Sequence, residues 1–293
     1  MTHRFILTTL ALSLALATAP ASAASSLPAG GKLLLTGGVS QIEGSAGGGL
    51  TPWAVIGGYG TRDQIGGNAF YTRVEADDYS LDSFGVAVGL YDRVELSIAR
   101  QSFNTQNVGA LLGLGKNFKF RQDIYGVKVK LIGDVVYDQD SWLPQISVGL
   151  QHKRNDQDTI VRAVGAKDDS GTDYYISATK LFLPYSTLVN GTVRATRANQ
   201  IGILGFGGDK NDSYKAEFEG SVAYLLTKNL AVGVEYRMKP NNLGIAKEND
   251  WKDVFIAWAP TKNVSLTAGY VDLGNIVIRD NQKAVYLSAQ IGF

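Results

Sequence analysis

Hydrophobic and polar residues alternate along most of this 293-residue chain. The segment VYLSAQIGF places Val285, Leu287, Ile291 and Phe293 on one face and small or polar residues, with Tyr286, on the other. Further segments with the same pattern are SFGVAVGL, VELSIAR, YGVKVKL, QISVGLQ, YKAEFEGSVAY and LAVGVEYRM. A period of two residues is typical of β-strands with one apolar face, so the pattern predicts an all-β protein.

About fourteen segments fit this description. They span residues 32–42, 52–60, 65–76, 79–90, 94–103, 123–136, 143–155, 173–182, 188–198, 214–225, 230–239, 251–259, 264–271 and 283–293. The first two are the least secure, because the glycine-rich stretch GSAGGGLTPW could form a kink, a loop or part of a plug. Twelve strands is therefore the alternative count. Alternation alone fits both a soluble β-sandwich and an antiparallel transmembrane β-barrel.

The connections between these segments differ in length. Short connections with turn-forming residues cover residues 91–93, 183–186, 227–229 and 260–263, whereas long ones cover 104–121, 154–172, 198–213, 239–250 and 272–282. Short periplasmic turns and longer external loops are typical of outer-membrane barrels. The lengths therefore favour the barrel over the sandwich.

Aromatic residues at the segment ends favour the same fold. Tyr91, Trp142, Tyr185, Tyr224, Trp258 and Phe293 are expected at the periplasmic boundary, and Tyr125, Tyr174, Tyr214, Tyr236, Trp251 and Tyr270 at the other. The C-terminal residues Tyr286, Ile291 and Phe293 resemble the sorting signal that the barrel assembly machinery reads. That machinery and outer-membrane lipid are thus expected partners.

The first 23 residues predict a cleaved signal peptide. A basic start precedes the apolar run from Phe5 to Ala17, and Ala21-Ser22-Ala23 forms a small-residue cleavage site. Residues 24–293 are then expected to form one barrel domain in the outer membrane of a Gram-negative bacterium. The formal net charge of +1 gives no electrostatic reason to expect a nucleic-acid partner.

Several blocks of the sequence also resemble a known family. Residues 30–67 (GGKLLLTGGVSQIEGSAGGGLTPWAVIGGYGTRDQIGG), 137–151 (YDQDSWLPQISVGLQ), 197–208 (RANQIGILGFGG) and 269–276 (GYVDLGNI) are similar to bacterial outer-membrane proteins of the domain-of-unknown-function family 3034. The resemblance covers nearly all of the mature chain. It implies the compartment and the family, but no activity and no catalytic residues.

The residues for catalysis and metal binding are sparse. Beyond the signal peptide there is no Cys and a single His, His152, which alternation places on the outer face. Acid–base and nucleophilic catalysis commonly use His, so we expect no enzyme and no catalytic residues, although the neighbouring Glu217 and Glu219 leave carboxylate chemistry open. No cofactor or metal site is expected, because the acidic loops do not match a Ca²⁺-loop spacing.

Charged residues on the other face are expected to line the lumen. The candidates are Lys128, Lys130, Arg194, Glu217, Glu219, Glu235 and Arg237. Their signs nearly balance, whereas a selective ion pore would favour one sign. The balance indicates an internal salt-bridge network, an uncharged solute or a plugged pore.

The predicted external loops are unusually apolar. Candidate ligand contacts in them are Leu111, Leu112, Ile203, Leu204 and Phe206. Apolar clusters of this kind either pack together as a lid or contact an apolar ligand. The sequence therefore supports a passive channel or uptake barrel for a small, apolar solute. The alternative is a non-conducting structural or partner-binding barrel.

Overall fold

The computed structural model describes residues 31–293, and alternation organises most of them into the wall of a closed β-barrel. Two short strands, β1 (Val39–Ser40) and β2 (Ala46–Gly47), pair with each other inside the barrel. The wall strands are β3 (Ile65–Ala76), β4 (Ser80–Leu90), β5 (Val94–Asn104), β6 (Lys119–Ile132), β7 (Gln145–Asn155), β8 (Ser170–Phe182), β9 (Thr187–Thr196), β10 (Lys215–Thr227), β11 (Leu230–Arg237), β12 (Trp251–Thr261), β13 (Val264–Ile276) and β14 (Arg279–Gly292). Two short helices, α1 (Val108–Leu111) and α2 (Asp158–Ala163), lie in connections.

All wall strands pair antiparallel with their sequence neighbours. The barrel closes where β14 pairs with β3, from Ala284 opposite Ala76 to Gly292 opposite Asn68. Closure leaves no unpaired strand edge, so every wall strand has hydrogen-bonded neighbours on both sides. Because the number of wall strands is even, β3 begins and β14 finishes at the same end of the barrel.

The outer face of the wall is apolar, whereas its inner face carries the charged and polar residues together with apolar ones. Along β12, Val254, Ile256 and Trp258 are exposed, whereas Phe255 and Ala257 between them are buried. Along β14, Val285, Leu287 and Ile291 are exposed in the same way. This arrangement is the reverse of a soluble sandwich, whose apolar faces are buried against each other. The apolar stripes predicted from the sequence therefore cover the outer surface.

The two ends of the barrel differ. The end with Phe293, here called the turn end, has short connections at 91–93, 183–186, 228–229 and 262–263, and one longer connection at 133–144. The opposite end, here called the loop end, has long connections at 105–118, 156–169, 197–214 and 238–250, and short ones at 77–79 and 277–278. The predicted long connection 272–282 is wrong, because β13 and β14 keep pairing as far as Ile276 and Arg279.

Twelve strands, the alternative count, form the wall. The first two predicted segments, 32–42 and 52–60, lie inside the barrel and contribute no wall strand. One predicted outer aromatic is also misplaced, since Trp251 is buried on the inner face. Its strand alternates with odd-numbered residues inward, so Trp251 shares the face of Asp253. The predicted signal peptide, residues 1–23, lies outside the described residues.

Candidate functional site

Residues 31–64, here called the plug, fold back into the lumen from the turn end. Lys32 pairs with Asp92 in a turn-end connection at 2.8 Å, and the other end of the plug leads directly into β3. Most residues between 35 and 59 are buried. With only the β1–β2 pairing as regular structure, the plug backbone needs other hydrogen-bond partners in the barrel interior.

Polar side chains of the wall supply these partners. The carbonyl oxygen of Ile42 accepts from Ser83 Oγ at 2.6 Å and from Gln101 Nε2 at 2.8 Å. The carbonyl oxygen of Ala54 accepts from Gln145 Nε2 at 2.6 Å. The polar inner face thus serves to hold the plug, because buried backbone groups without partners would be costly.

Glycines let the plug approach the wall closely. A Cβ atom on Gly48 would lie 2.0 Å from Glu235 Oε1, and one on Gly49 would lie 2.6 Å from the Tyr286 hydroxyl. A side chain at either position would displace the Glu235 carboxylate or the Tyr286 ring. The glycine-rich stretch is therefore the part of the plug that packs against β11 and β14, as one of the three sequence interpretations proposed.

A network of buried charges joins the plug to five wall strands, β7 to β11. Its members are the carboxylates Glu43, Asp173 and Glu219 and the cations Lys153, Arg194 and Arg237. Glu43 from the plug contacts Lys153 and lies 2.8 Å from Arg237 Nη1. Arg194 Nε lies 2.5 Å from Glu219 Oε1. Three anions face three cations, so the network is neutral as a whole, as buried charges need to be.

The cations of this network keep Glu43 ionised. Burial alone would raise the pKa of its carboxyl group, but Arg237, Lys153 and Arg194 lower it, and the pKa lies well below the usual 4.5. Glu43, Lys153 and Asp173 are not among the lumen residues predicted from the sequence. Alternation could have placed Lys153 and Asp173 in the lumen, whereas nothing in the sequence pattern marks Glu43.

A second ion pair holds the plug nearer the turn end. Glu95 lies 3.2 Å from Lys128 Nζ and accepts from the backbone N–H groups of Ala46, at 3.1 Å, and Gly57, at 2.8 Å. Lys128 donates to the carbonyl oxygens of Ala46 and Val55 at 2.8 and 2.9 Å. The pair therefore binds plug backbone through both of its charges.

All seven predicted lumen residues lie on the inner face and are buried. They are Lys128, Lys130, Arg194, Glu217, Glu219, Glu235 and Arg237. Glu235 accepts from Leu50 N at 2.7 Å and Thr51 Oγ1 at 2.6 Å, so it also binds the plug. Lys130 pairs with Asp92 at 2.7 Å near the turn end. Glu217 forms no ion pair with any described residue.

An apolar cavity of about 390 Å³ lies between the plug and the connections of the loop end. Its lining is mostly aliphatic and aromatic. The plug contributes Val39, Ile42 and Leu50; the wall contributes Val74, Leu81, Phe103, Phe120, Trp251, Val271 and Leu273; and the loop-end connections contribute Leu112, Leu114, Ile160, Ile203 and Leu204. The volume falls within the range of about 300–1,000 Å³ that is typical of ligand pockets.

Three of the five predicted loop contacts line this cavity. Leu112, Ile203 and Leu204 do so. Leu111 is 65% exposed and outside the lining, although it neighbours Leu112 in sequence. Phe206 is fully buried, but it packs within the loop-end connections, where its backbone pairs with Asp168. The apolar loops therefore pack partly on each other and partly around the cavity.

The segment 199–206 folds inward and contacts both the cavity and the buried ion network. Gln200 and Ile201 adopt left-handed backbone conformations, with φ of 44° and 58°. The carbonyl oxygen of Ile201 accepts from Lys153 Nζ at 3.2 Å, and the N–H of Gln200 donates to Glu248 at 3.0 Å. Contacts from two directions thus hold a conformation that is unfavourable for residues other than glycine.

A buried ion pair adjoins the cavity at Trp251. Lys239 Nζ lies 3.4 Å from Glu248 and 4.5 Å from the centre of the Trp251 ring, within cation–π range. Burial lowers the pKa of Lys239 to about 8 and raises the pKa of Glu248. Both side chains are buried at the loop end, and their opposite charges compensate each other.

The remaining chemical candidates lie outside the lumen. His152 is exposed on the outer face, where its Nδ1 lies 3.0 Å from Thr172 Oγ1. Within residues 31–293, no three His, Asp or Glu side chains are grouped as metal ligands would be. Nor does this range contain a helix that is long and apolar enough to cross a membrane.

The predicted sorting residues divide between the two faces of β14. Ile291 and Phe293 are exposed on the outside. Tyr286 is buried inside, and its hydroxyl donates to Asp253 at 2.7 Å. The backbone of Phe293 closes the structure at the turn end, because its carbonyl oxygen accepts from Tyr59 N and Gly67 N, each at 2.9 Å.

Comparison with known proteins gives one family match. A family described as "Protein of unknown function (DUF3034)" matches residues 36–290, which include most of the plug and the whole wall. No curated protein matches the chain significantly.

Solved structures with a similar shape are barrels. The KdgM porin gives a TM-score of 0.49 at 10% identity, covering 77% of this chain and 99% of its own. The NanC porin gives 0.48 at 8% identity, covering 77% and 98%. Outer membrane phospholipase A from Escherichia coli gives 0.41 at 11% identity, covering 77% and 92%. At these TM-scores the similarities assign neither an activity nor a site to this chain.

Proposed function

The chain belongs to the family of proteins of unknown function DUF3034, and we propose that it is an outer-membrane β-barrel that captures a small apolar solute. A closed wall with an apolar outer surface supports the membrane location, because lipid cannot satisfy unpaired strand edges. Outer-membrane lipid and the barrel assembly machinery are its proposed partners. The turn end would then face the periplasm and the loop end the exterior.

The cavity at the loop end is the observation that carries the proposed binding function. It combines a volume typical of ligand sites with an almost entirely apolar lining. Loop-end connections form one side of it, so a solute from outside the cell would reach it first. Transfer of an apolar molecule from water into such a site is favourable in proportion to the apolar area buried.

The plug would prevent a bound solute from crossing the barrel. It occupies the lumen between the cavity and the turn end, and its backbone is hydrogen-bonded to the wall. A solute in the cavity would cross the barrel only after the plug moved. The same filled lumen favours the second candidate, a non-conducting structural barrel, over a permanently open passive channel.

We assign no reaction to this site. The cavity lining has no His, Asp, Glu, Lys or Arg side chain. His152 lies on the opposite surface of the wall, so it has no access to a molecule in the cavity. Binding of an uncharged molecule is therefore the function that the site supports best.

A charged residue placed in the cavity lining tests the proposed capture of an apolar solute. A Leu112→Asp variant should bind isopropenylnaphthalene, an uncharged apolar probe, at least tenfold more weakly than wild type, because it adds a carboxylate to the apolar lining. Isothermal titration calorimetry of the protein in lipid nanodiscs gives the affinity after the signal of empty nanodiscs has been subtracted.

Leu111→Asp provides the matched control. The same change at the adjacent residue, which is 65% exposed and outside the lining, should leave the affinity unchanged. Equal binding by wild type and both variants would place the probe elsewhere. Absence of binding to folded wild type would contradict the capture function.

A further inference from the structure

One buried hydrogen-bond donor in the cavity lining has no acceptor. Trp251, the first residue of β12, is 5% exposed and lines the cavity, and its indole Nε1 has no partner among the described residues. Buried donors in native proteins are nearly always paired. The nitrogen itself is covered in this structure, so an acceptor in the adjoining cavity would reach it after a small rotation of the indole ring.

Several other polar groups of the lining bond to the protein itself. The Tyr79 hydroxyl donates to the carbonyl oxygen of Ile276 at 2.9 Å, and the Thr72 hydroxyl donates to Ser288 at 2.7 Å. Ser40 Oγ donates to Gln290 at 2.6 Å. Of the described side chains, Trp251 is the one that both lines the cavity and has a buried nitrogen or oxygen without a partner.

The surrounding charges indicate that the acceptor is uncharged. The nearest cation, Lys239, lies over the Trp251 ring but is already paired with Glu248 and donates to Gln200 Oε1 at 2.9 Å. A ligand carboxylate in the cavity would therefore be buried without a counter-charge of its own, which is strongly unfavourable. A carbonyl oxygen could accept from Trp251 at no such cost.

We infer that the cavity selects uncharged apolar molecules that carry one acceptor oxygen, such as ketones or aldehydes, and that Trp251 Nε1 donates to this oxygen. The inference depends on the proposed capture function and adds the chemical class of the ligand. It also gives a role to Trp251, an aromatic residue that is buried inside the barrel although its type is typical of a membrane boundary.

Three probes of nearly equal size test this inference. Methyl naphthyl ketone carries the acceptor, isopropenylnaphthalene replaces the carbonyl oxygen by CH₂, and naphthoic acid is a carboxylate at pH 7. Wild-type protein in nanodiscs should bind the ketone about five- to tenfold more tightly than the hydrocarbon, as expected for one hydrogen bond. Naphthoate should bind more weakly than either.

A Trp251→Phe variant removes the donor and keeps an aromatic ring. It should reduce affinity for the ketone about five- to tenfold and leave hydrocarbon affinity within twofold. Trp142→Phe, at a residue 86% exposed in the 133–144 connection, is the matched control and should change neither.

The outcomes separate this inference from the capture function. Equal wild-type affinity for ketone and hydrocarbon, or equal losses for both in Trp251→Phe, would overturn the acceptor inference while leaving capture intact. Tightest binding of naphthoate would overturn the uncharged class. If no probe binds to the folded protein, both proposals fail. The wild-type comparison decides the matter even if Trp251→Phe does not fold.

Discussion

Glu43 is the residue on which the attachment of the plug to the wall most depends. Its carboxylate contacts Lys153 and Arg237 and completes a neutral set of three anions and three cations. Removing one partner of a buried ion network leaves the others uncompensated, at a typical cost of about 3–5 kcal/mol. A single plug residue thus belongs to a network that spans five strands of the wall.

The stability that Glu43 provides should depend on pH. Its pKa in the folded protein lies below the usual 4.5, so the unfolded chain binds more protons as the pH falls below that value. The contribution is therefore complete above pH 4.5 and is lost as the pH falls through the folded-state pKa. Glu43→Gln should be less stable than wild type at pH 7, by about 3–5 kcal/mol, and the difference should shrink at pH 3. Thermal unfolding followed by circular dichroism measures both.

Glu75→Gln is the control for this experiment. Glu75 is an exposed carboxylate of β3 that pairs with Arg73, so the same substitution should change stability little. A Glu43→Gln effect of the same size at pH 3 and pH 7 would show that shape, rather than charge, is what Glu43 contributes.

For single residues, the sequence pattern predicts on which face of the wall a side chain lies, but not which residue it contacts. Alternation places Arg194 and Glu219 inside the barrel, and both are buried there. It cannot identify Glu43 as the partner of Arg237, because 194 residues of chain separate the two and the plug has no regular period. Trp251 shows that alternation can be more informative than residue type. It lies two residues before Asp253 in β12, so both side chains lie on the same, inner face.

Among the strands, β14 is followed by Phe293, a residue whose backbone and side chain have different contacts. The Phe293 backbone accepts hydrogen bonds from the plug and from the start of β3, which helps to close the barrel. Its ring, 45% exposed, lies on the outer surface with Ile291. The backbone contacts serve the folded protein, whereas the exposed ring fits recognition before folding is complete.

Phe293→Ala should separate these roles. The substitution removes the ring and keeps the backbone bonds, so the purified chain should refold in detergent with near wild-type stability. In cells, folded barrel in the outer membrane should fall severalfold if the assembly machinery reads the aromatic ring. Wild-type amounts in the membrane would contradict the sorting role, and failure to refold would show that the ring itself stabilises the barrel.

The sequence predicted the wall strands better than the interior. A period of two residues and an apolar outer face are properties of each strand, so the twelve wall segments could be recognised one by one. The plug segments 32–42 and 52–60 have similar local patterns, but their backbone groups bond to side chains such as Gln145 and Ser83 instead of to neighbouring strands. That difference exists only in the folded barrel.

In the whole molecule the plug fills the lumen that a channel would need. The wall charges Glu95, Lys128 and Glu235 all bond to plug backbone, so the polar inner surface is occupied by protein. If the plug were absent, water could solvate the same charges, and their burial would no longer be costly. A barrel without residues 31–64 is therefore expected to retain its wall and gain a water-filled lumen.

Single-channel recording in planar bilayers tests this expectation. Refolded wild-type protein should show no stepwise conductance, whereas a variant lacking residues 31–64 should conduct in uniform steps. The full-length double variant Glu95→Gln with Glu235→Gln, which weakens two plug contacts, should open intermittently and covers the case in which the deletion does not fold. Regular steps from wild type would show that the plug moves readily, which favours the passive channel. Silence from folded forms of all three would mean that the barrel is closed by more than the plug, and capture at the loop end would then have to serve binding without transport.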